Sequence, residues 1–148
     1  METKLLNDEI TGQVREVFDQ LNNPVALLFF GSKTNCDYCE DTQQLIEEVA
    51  EISDKLTLDV YDLEADTGTA QQYKVDKAPG LVIAGRDGEQ ILDYGIRYAG
   101  IPSGHEFGSL IHDIVLVSSK DSGLSDETRK FLQELKEPVH LQVFVTPT

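Results

Sequence analysis

The chain has 148 residues, with 27 Asp and Glu against 12 Lys and Arg and a formal net charge of −15. That length suffices for one domain with its own core, and 40% hydrophobic with 26% charged residues is an ordinary globular composition. The acidity argues against nucleic acid and against membrane as partners, since nucleic acid and anionic lipid are bound through Lys/Arg patches that displace counterions.

Within residues 5–21, Leu6, Ile10, Val14, Val17, Phe18 and Leu21 fall on one helical face, and Pro24 stops the run. The next stretch, VALLFFG at 25–31, is short and continuously apolar, the pattern of a strand buried on both faces. The period then changes. From Cys36 to Ile52, Leu45, Ile46, Val49 and Ala50 recur at helical spacing, with Thr34 or Asn35 placed as the N-cap. LTLDVYD at 56–62 alternates as a strand, so 25–62 reads as a βαβ unit with parallel strands.

A short helix at 66–73 is expected to follow, then a strand at about 81–84 and a hairpin turn at GRDG into EQILDYG. Ser103 and Glu106 have capping-box spacing ahead of the stripe Phe107, Leu110, Ile111, Ile114 and Val115, which predicts a helix over 104–118. A further helix opens at Ser125, and PVHLQVFVTPT reads as a last strand with nothing after it.

The only two cysteines, Cys36 and Cys39, lie in NCDYCE between the first strand and its helix. No apolar run approaches the ~20 residues that span a bilayer. The acidic start METKLLNDEI lacks the basic-then-apolar pattern of a signal peptide. The expected location is therefore the reducing cytoplasm, where a C-x-x-C pair beside a βαβ pattern points to redox or metal chemistry rather than a structural staple. In the first turn of a helix, free amides and the helix dipole favour a thiolate at Cys36. Cys39, one turn on, is spaced to attack a mixed disulfide on Cys36 and release its partner. Asp37 and Glu40 oppose the dipole and Lys33 offsets part of that, so Cys36 is expected to be less acidic, and the pair more reducing, than with neutral neighbours. Inert core thiols remain an alternative, as does zinc shared between two chains. A closed site within one chain would need four ligands, and His105, His112 and His140 are scattered.

The order of strand, C-x-x-C, helix, strand and then a proline opening the next strand resembles the thioredoxin superfamily. FFGSKTNCDYCEDTQQLIEEVAE, YKVDKAPGLVI and YGIRYAGIPSGHEFGSLIHDIV further resemble the N-terminal unit of the tandem, glutaredoxin-like protein disulfide oxidoreductases. The resemblance implies a thioredoxin-like α/β fold: a central mixed sheet flanked by helices, an extra N-terminal helix, and a C-terminal helix plus stray strand. It implies one thioredoxin-like domain over 1–120, with 121–148 resembling the linker and first strand of a second, truncated unit. It also implies a cis Pro79, with Pro79, Ala78 and Tyr38 meeting the substrate while Cys36 attacks and Cys39 resolves. No cofactor or metal is implied. The implied partners are protein disulfides and a thioredoxin-reductase-like flavoprotein. The buried carboxylate that thioredoxins carry in the strand before the motif is absent from VALLFFG, and Asp59 or Asp62 is the candidate substitute. The alternatives are a weakly active docking half and an electron relay between a flavin reductase and a peroxidase.

Overall fold

Strand β1 (Val25–Gly31) is buried at all seven positions because it is paired on both edges and covered on both faces. The computed structural model describes residues 4–146. In it the sheet order is β2-β1-β3-β4, with β2 at Leu56–Asp62, β3 at Gly80–Asp87 and β4 at Gln90–Ala99. β1 runs parallel to β2, with Val25 opposite Leu56, and antiparallel to β3, with Phe30 opposite Gly80. A parallel pair needs a long crossover. Helix α2 (Cys39–Ala50) supplies it. β3 and β4 form the expected hairpin, closed at Gly88, whose φ of +60° favours a residue without Cβ.

Alternation along β1 divides the core. Val25 and Leu27 join Leu45, Ile46, Val49, Leu110 and Ile114 under α1 (Asp8–Phe18), α2 and α4 (His105–Ser119). Ala26, Leu28 and Phe30 face the other way, towards Ala70, Tyr73, Val82 and Ala84 beside α3 (Thr67–Gln72). Each large side chain removed from water here contributes roughly 1.5–3 kcal/mol. The sheet is thereby fixed as a rigid floor whose β1 C-terminal end carries the cysteine loop.

Two polar ties anchor the outer helices. The buried Ser118 hydroxyl accepts from the N–H groups of Asn22 (2.8 Å) and Asn23 (3.0 Å) and donates to the Asn23 carbonyl, joining the end of α4 to the entrance of β1. Glu48 on α2 accepts from the N–H groups of Leu5 and Leu6. Burial of Glu48 works to raise its pKa, but those amides, Gln44 and Lys4 outweigh it and leave the carboxyl below its ordinary value.

The fold class is the expected one, and β1 and β2 have the expected limits. Several ends differ. α1 is shorter than 5–21, because Asn7 caps it by accepting from Ile10 N–H, while Leu6 and Leu21 are buried outside the helix. The capping box before α4 does not form: Gly104, at φ +60°, is the N-cap and no side chain caps the helix. α5 (Asp126–Gln133) is capped by Ser125 as expected, yet none of its residues is buried. The last strand is not formed within the described residues. Residues 138–146 join no ladder and expose Val139, Leu141, Val143, Phe144 and Val145, because both neighbouring strand edges stay unused by them. Residues 147–148 of that stretch lie outside the described residues. No helix among the described residues is long and apolar enough to cross a membrane.

Candidate active site

β1 ends at Gly31, and the choice of glycine there is steric. A Cβ would lie 3.1 Å from Phe29 Cε1 and 3.8 Å from Cys39 Sγ, so the bare backbone lets the strand end against the cysteine pair. The loop that follows is tied to the neighbouring β2–α3 connection. Ser32 Oγ donates to Glu64 Oε1 (2.8 Å), Thr34 N–H donates to Ser32 Oγ (3.3 Å), and Leu63 N–H donates to the Gly31 carbonyl (2.9 Å). These bonds hold two loops together at one end of the sheet.

Helix α2 begins later than the sequence suggests. Tyr38, not Thr34 or Asn35, is its N-cap, with no side-chain capping bond; Thr42 instead donates from both N–H (2.9 Å) and hydroxyl (2.6 Å) to the Tyr38 carbonyl. Cys39 is therefore the first helical residue, and Cys36 stands in the loop before the helix rather than in its first turn. The free amides of a first turn point back along the axis towards the residues that precede it, so a dipole effect on Cys36 does not require Cys36 to be helical.

The two cysteines form a disulfide with Cα atoms 5.5 Å apart. Their exposure differs. Cys39 is buried at 6% exposure, whereas Cys36 is half-buried at the rim. Tyr38 between them is 59% exposed, an aromatic ring facing solvent beside the disulfide.

The Ala78–Pro79 peptide is cis, as expected. Pro79 is buried, and its carbonyl accepts from Gly100 N–H (2.8 Å). Gly80, the next residue, is paired with Phe30, so the proline stands at the end of the sheet where β1 delivers the cysteine loop. Ala78 is half-buried and outside any ladder, with no hydrogen bond to its backbone N–H or C=O among the described residues. An unpaired backbone edge of this kind can pair with an extended peptide.

An open cleft of about 630 Å³ runs beside the disulfide, lined by Cys36, Cys39, Lys33, Glu40, Asp62 and Asp66 among others. The two candidate carboxylates separate cleanly. Asp59 lies on the opposite face of β2, in a 2.6 Å ion pair with Arg86. Asp62 lines the cleft, and its Oδ1 accepts from Ala65 N–H (2.9 Å) and Glu64 N–H (3.0 Å). The Ala65 amide chiefly, together with the Glu64 amide and side chain and the Lys33 charge, holds the Asp62 carboxyl below its ordinary value against the opposing effect of desolvation. Among the described residues no group of three or more His, Cys, Asp and Glu is placed to hold a metal ion.

Sequence reasoning missed Asp66, Glu64 and the packing role of Gly31. Nothing in the pattern marks the first two, since acidic residues in a loop ordinarily read as solvated surface. The continuous apolar run ending in glycine was the available signal for Gly31.

No protein-family model matches the chain. Over 144 residues it is 27% identical to the alkyl hydroperoxide reductase protein AhpF of Staphylococcus epidermidis, covering 97% of this chain and 25% of that protein. Among solved structures it resembles a protein disulfide oxidoreductase from Aeropyrum pernix, with a TM-score of 0.75, 32% identity, and coverage of 92% of this chain and 59% of that one. It also resembles the NTD_N/C domain of AhpF from Enterococcus faecalis, with a TM-score of 0.74 and 26% identity, covering 84% of this chain and 58% of that one. The chain thus spans about a quarter of the length of the curated relatives it matches.

Proposed function

We propose, from the premise that this chain is a thioredoxin-fold protein similar to the N-terminal unit of tandem disulfide oxidoreductases, that it is a thiol–disulfide oxidoreductase acting on protein disulfides. The observation that carries the reading is the unequal exposure of the pair, with Cys36 at the rim of a cleft and Cys39 buried at the head of α2. The accessible thiolate attacks; the sheltered thiol resolves. Ala78, with its free backbone edge, and Pro79 receive the substrate main chain, and the exposed Tyr38 packs against it. Asp62, on the cleft wall, is the carboxylate positioned to accept the Cys39 proton.

The domain reading accompanies this one: residues 1–120 form the working unit, and 121–148 correspond to the start of a second. The exposed apolar stretch from Val139 to Val145 supports it, since such side chains call for a cover. The chemistry suits a reducing cytoplasm, where a dithiol couple cycles against a flavoprotein of the thioredoxin-reductase type. A second reading is favoured by the likeness to a component of alkyl hydroperoxide reductase. In it the same couple relays electrons between a flavin reductase and a peroxidase.

Insulin reduction by dithiothreitol tests the main reading. The wild-type protein accelerates it, and Cys36→Ser lowers the rate to that of the reagent alone. An undiminished rate in that variant would overturn the assignment. Disulfide-linked partners captured on Cys39→Ser distinguish protein substrates at large from a dedicated peroxidase.

A further inference from the structure

The charge around the disulfide is one-sided. Among the described residues, Glu40, Asp62 and Asp66 line the cleft together with a single cation, Lys33. Asp37 is exposed between the two cysteines, and Glu64 sits above the loop through its bond from Ser32. Lys33 offsets one charge of this set, and its proximity is among the influences that lower the Asp62 carboxyl, so the balance at the cleft stays negative. The remainder of the chain adds to the same field, with a net charge of −15. A cleft lined by one sign of charge concentrates ligands of the other and repels its own.

We infer that this site selects disulfides flanked by positive charge, such as those in Lys- or Arg-bearing protein loops, and discriminates against anionic ones such as glutathione disulfide. The inference rests on the oxidoreductase reading above and names its substrate class. In the exchange, the Cys36 thiolate attacks one sulfur of RS–SR, forming a mixed disulfide and releasing one RS⁻. Cys39 then loses its proton and attacks Cys36 Sγ, closing the Cys36–Cys39 disulfide and releasing the second RS⁻. The substrate gains two electrons and leaves as two thiols, and the protein dithiol loses them. Charge on R acts on the encounter and on the mixed disulfide, both of which bring R to the cleft that Glu40, Asp62 and Asp66 line.

The test uses three small disulfides of graded charge on the reduced protein: cationic cystamine, neutral 2-hydroxyethyl disulfide and anionic glutathione disulfide. Each rate is divided by the rate of the same disulfide with the neutral thiol 2-mercaptoethanol, which removes differences in leaving-group chemistry. The order expected at low ionic strength is cystamine, then hydroxyethyl disulfide, then glutathione disulfide, with about tenfold or more between the extremes. In about 1 M salt, where the Debye length is about 3 Å, the spread closes towards unity. Glu40→Gln, an exposed side chain with no hydrogen-bond partner among the described residues, narrows the low-salt ratio by about two- to threefold, as the loss of one surface charge should. Because any change in Cys36 reactivity affects all three probes alike, the ratio isolates the field. A flat or inverted order that ignores salt overturns the charge selection and leaves the oxidoreductase reading standing. Absence of exchange with all three probes overturns the oxidoreductase reading itself.

Discussion

Cys36 and Cys39 are chemically identical residues given different environments by three positions of chain. Cys36 stays in the loop, half-buried, while Cys39 enters the helix and the core. The pair was legible in the sequence, as was Pro79, because each is an uncommon residue at a fixed distance from a strand. The helix start was not. Thr34 and Asn35 are good capping residues, but Thr34 is drawn into the bonds linking Ser32 and Glu64, which leaves Tyr38 to cap. The acids Asp37 and Glu40 each follow a cysteine of the pair, near Cys36, the proposed attacking thiol, and their charge opposes the field of a helix terminus. Replacing both, in D37N/E40Q, should favour the Cys36 thiolate and so stabilise the reduced state. Equilibration against a glutathione series should then show a potential higher by roughly 10–30 mV, where about 30 mV corresponds to about 1.4 kcal/mol. An unchanged or lower potential would show that these carboxylates do not act on the sulfur.

The strands were the most readable elements. β1 and β2 follow from a continuous apolar run and a clean alternation, patterns that burial enforces residue by residue. Helix ends were less readable, since a cap depends on where the chain arrives from. Gly104 takes the position that Ser103 was expected to hold, because its positive φ makes the entry turn. Ser118 was invisible altogether: a serine late in an apolar helix gives no sign that two distant amides will bond to it. Its removal is correspondingly informative. Ser118→Ala should lower the unfolding free energy by about 1–3 kcal/mol in urea titration, because the Asn22 amide loses its acceptor and the Asn23 amide keeps only its 3.3 Å bond to the Ser118 carbonyl. The disulfide-exchange rate should be unaltered. A cost under about 0.5 kcal/mol would mean that water replaces the hydroxyl readily.

At the scale of the whole molecule, the fold brings together three segments far apart in sequence: the end of β1, the β2–α3 loop and the approach to β3. The first two, with the head of α2, line the cleft, and the site was only half legible. The sequence supplied the cysteines and the proline, while Asp66 and Glu64 acquire meaning once β2 is paired beside β1. The C-terminal stretch shows the converse. PVHLQVFVTPT reads as a strand, yet no strand edge takes it up, and residues 138–146 remain uncovered. The central claim concerns which sulfur this assembly presents to solvent. The reduced protein, treated with less than one equivalent of iodoacetamide at neutral pH and mapped by peptide mass spectrometry, reports it directly. Carboxamidomethyl groups on Cys36 in about tenfold or greater excess over Cys39 are the predicted result, from greater access and thiolate character; equal modification, or Cys39 modified first, would contradict the account.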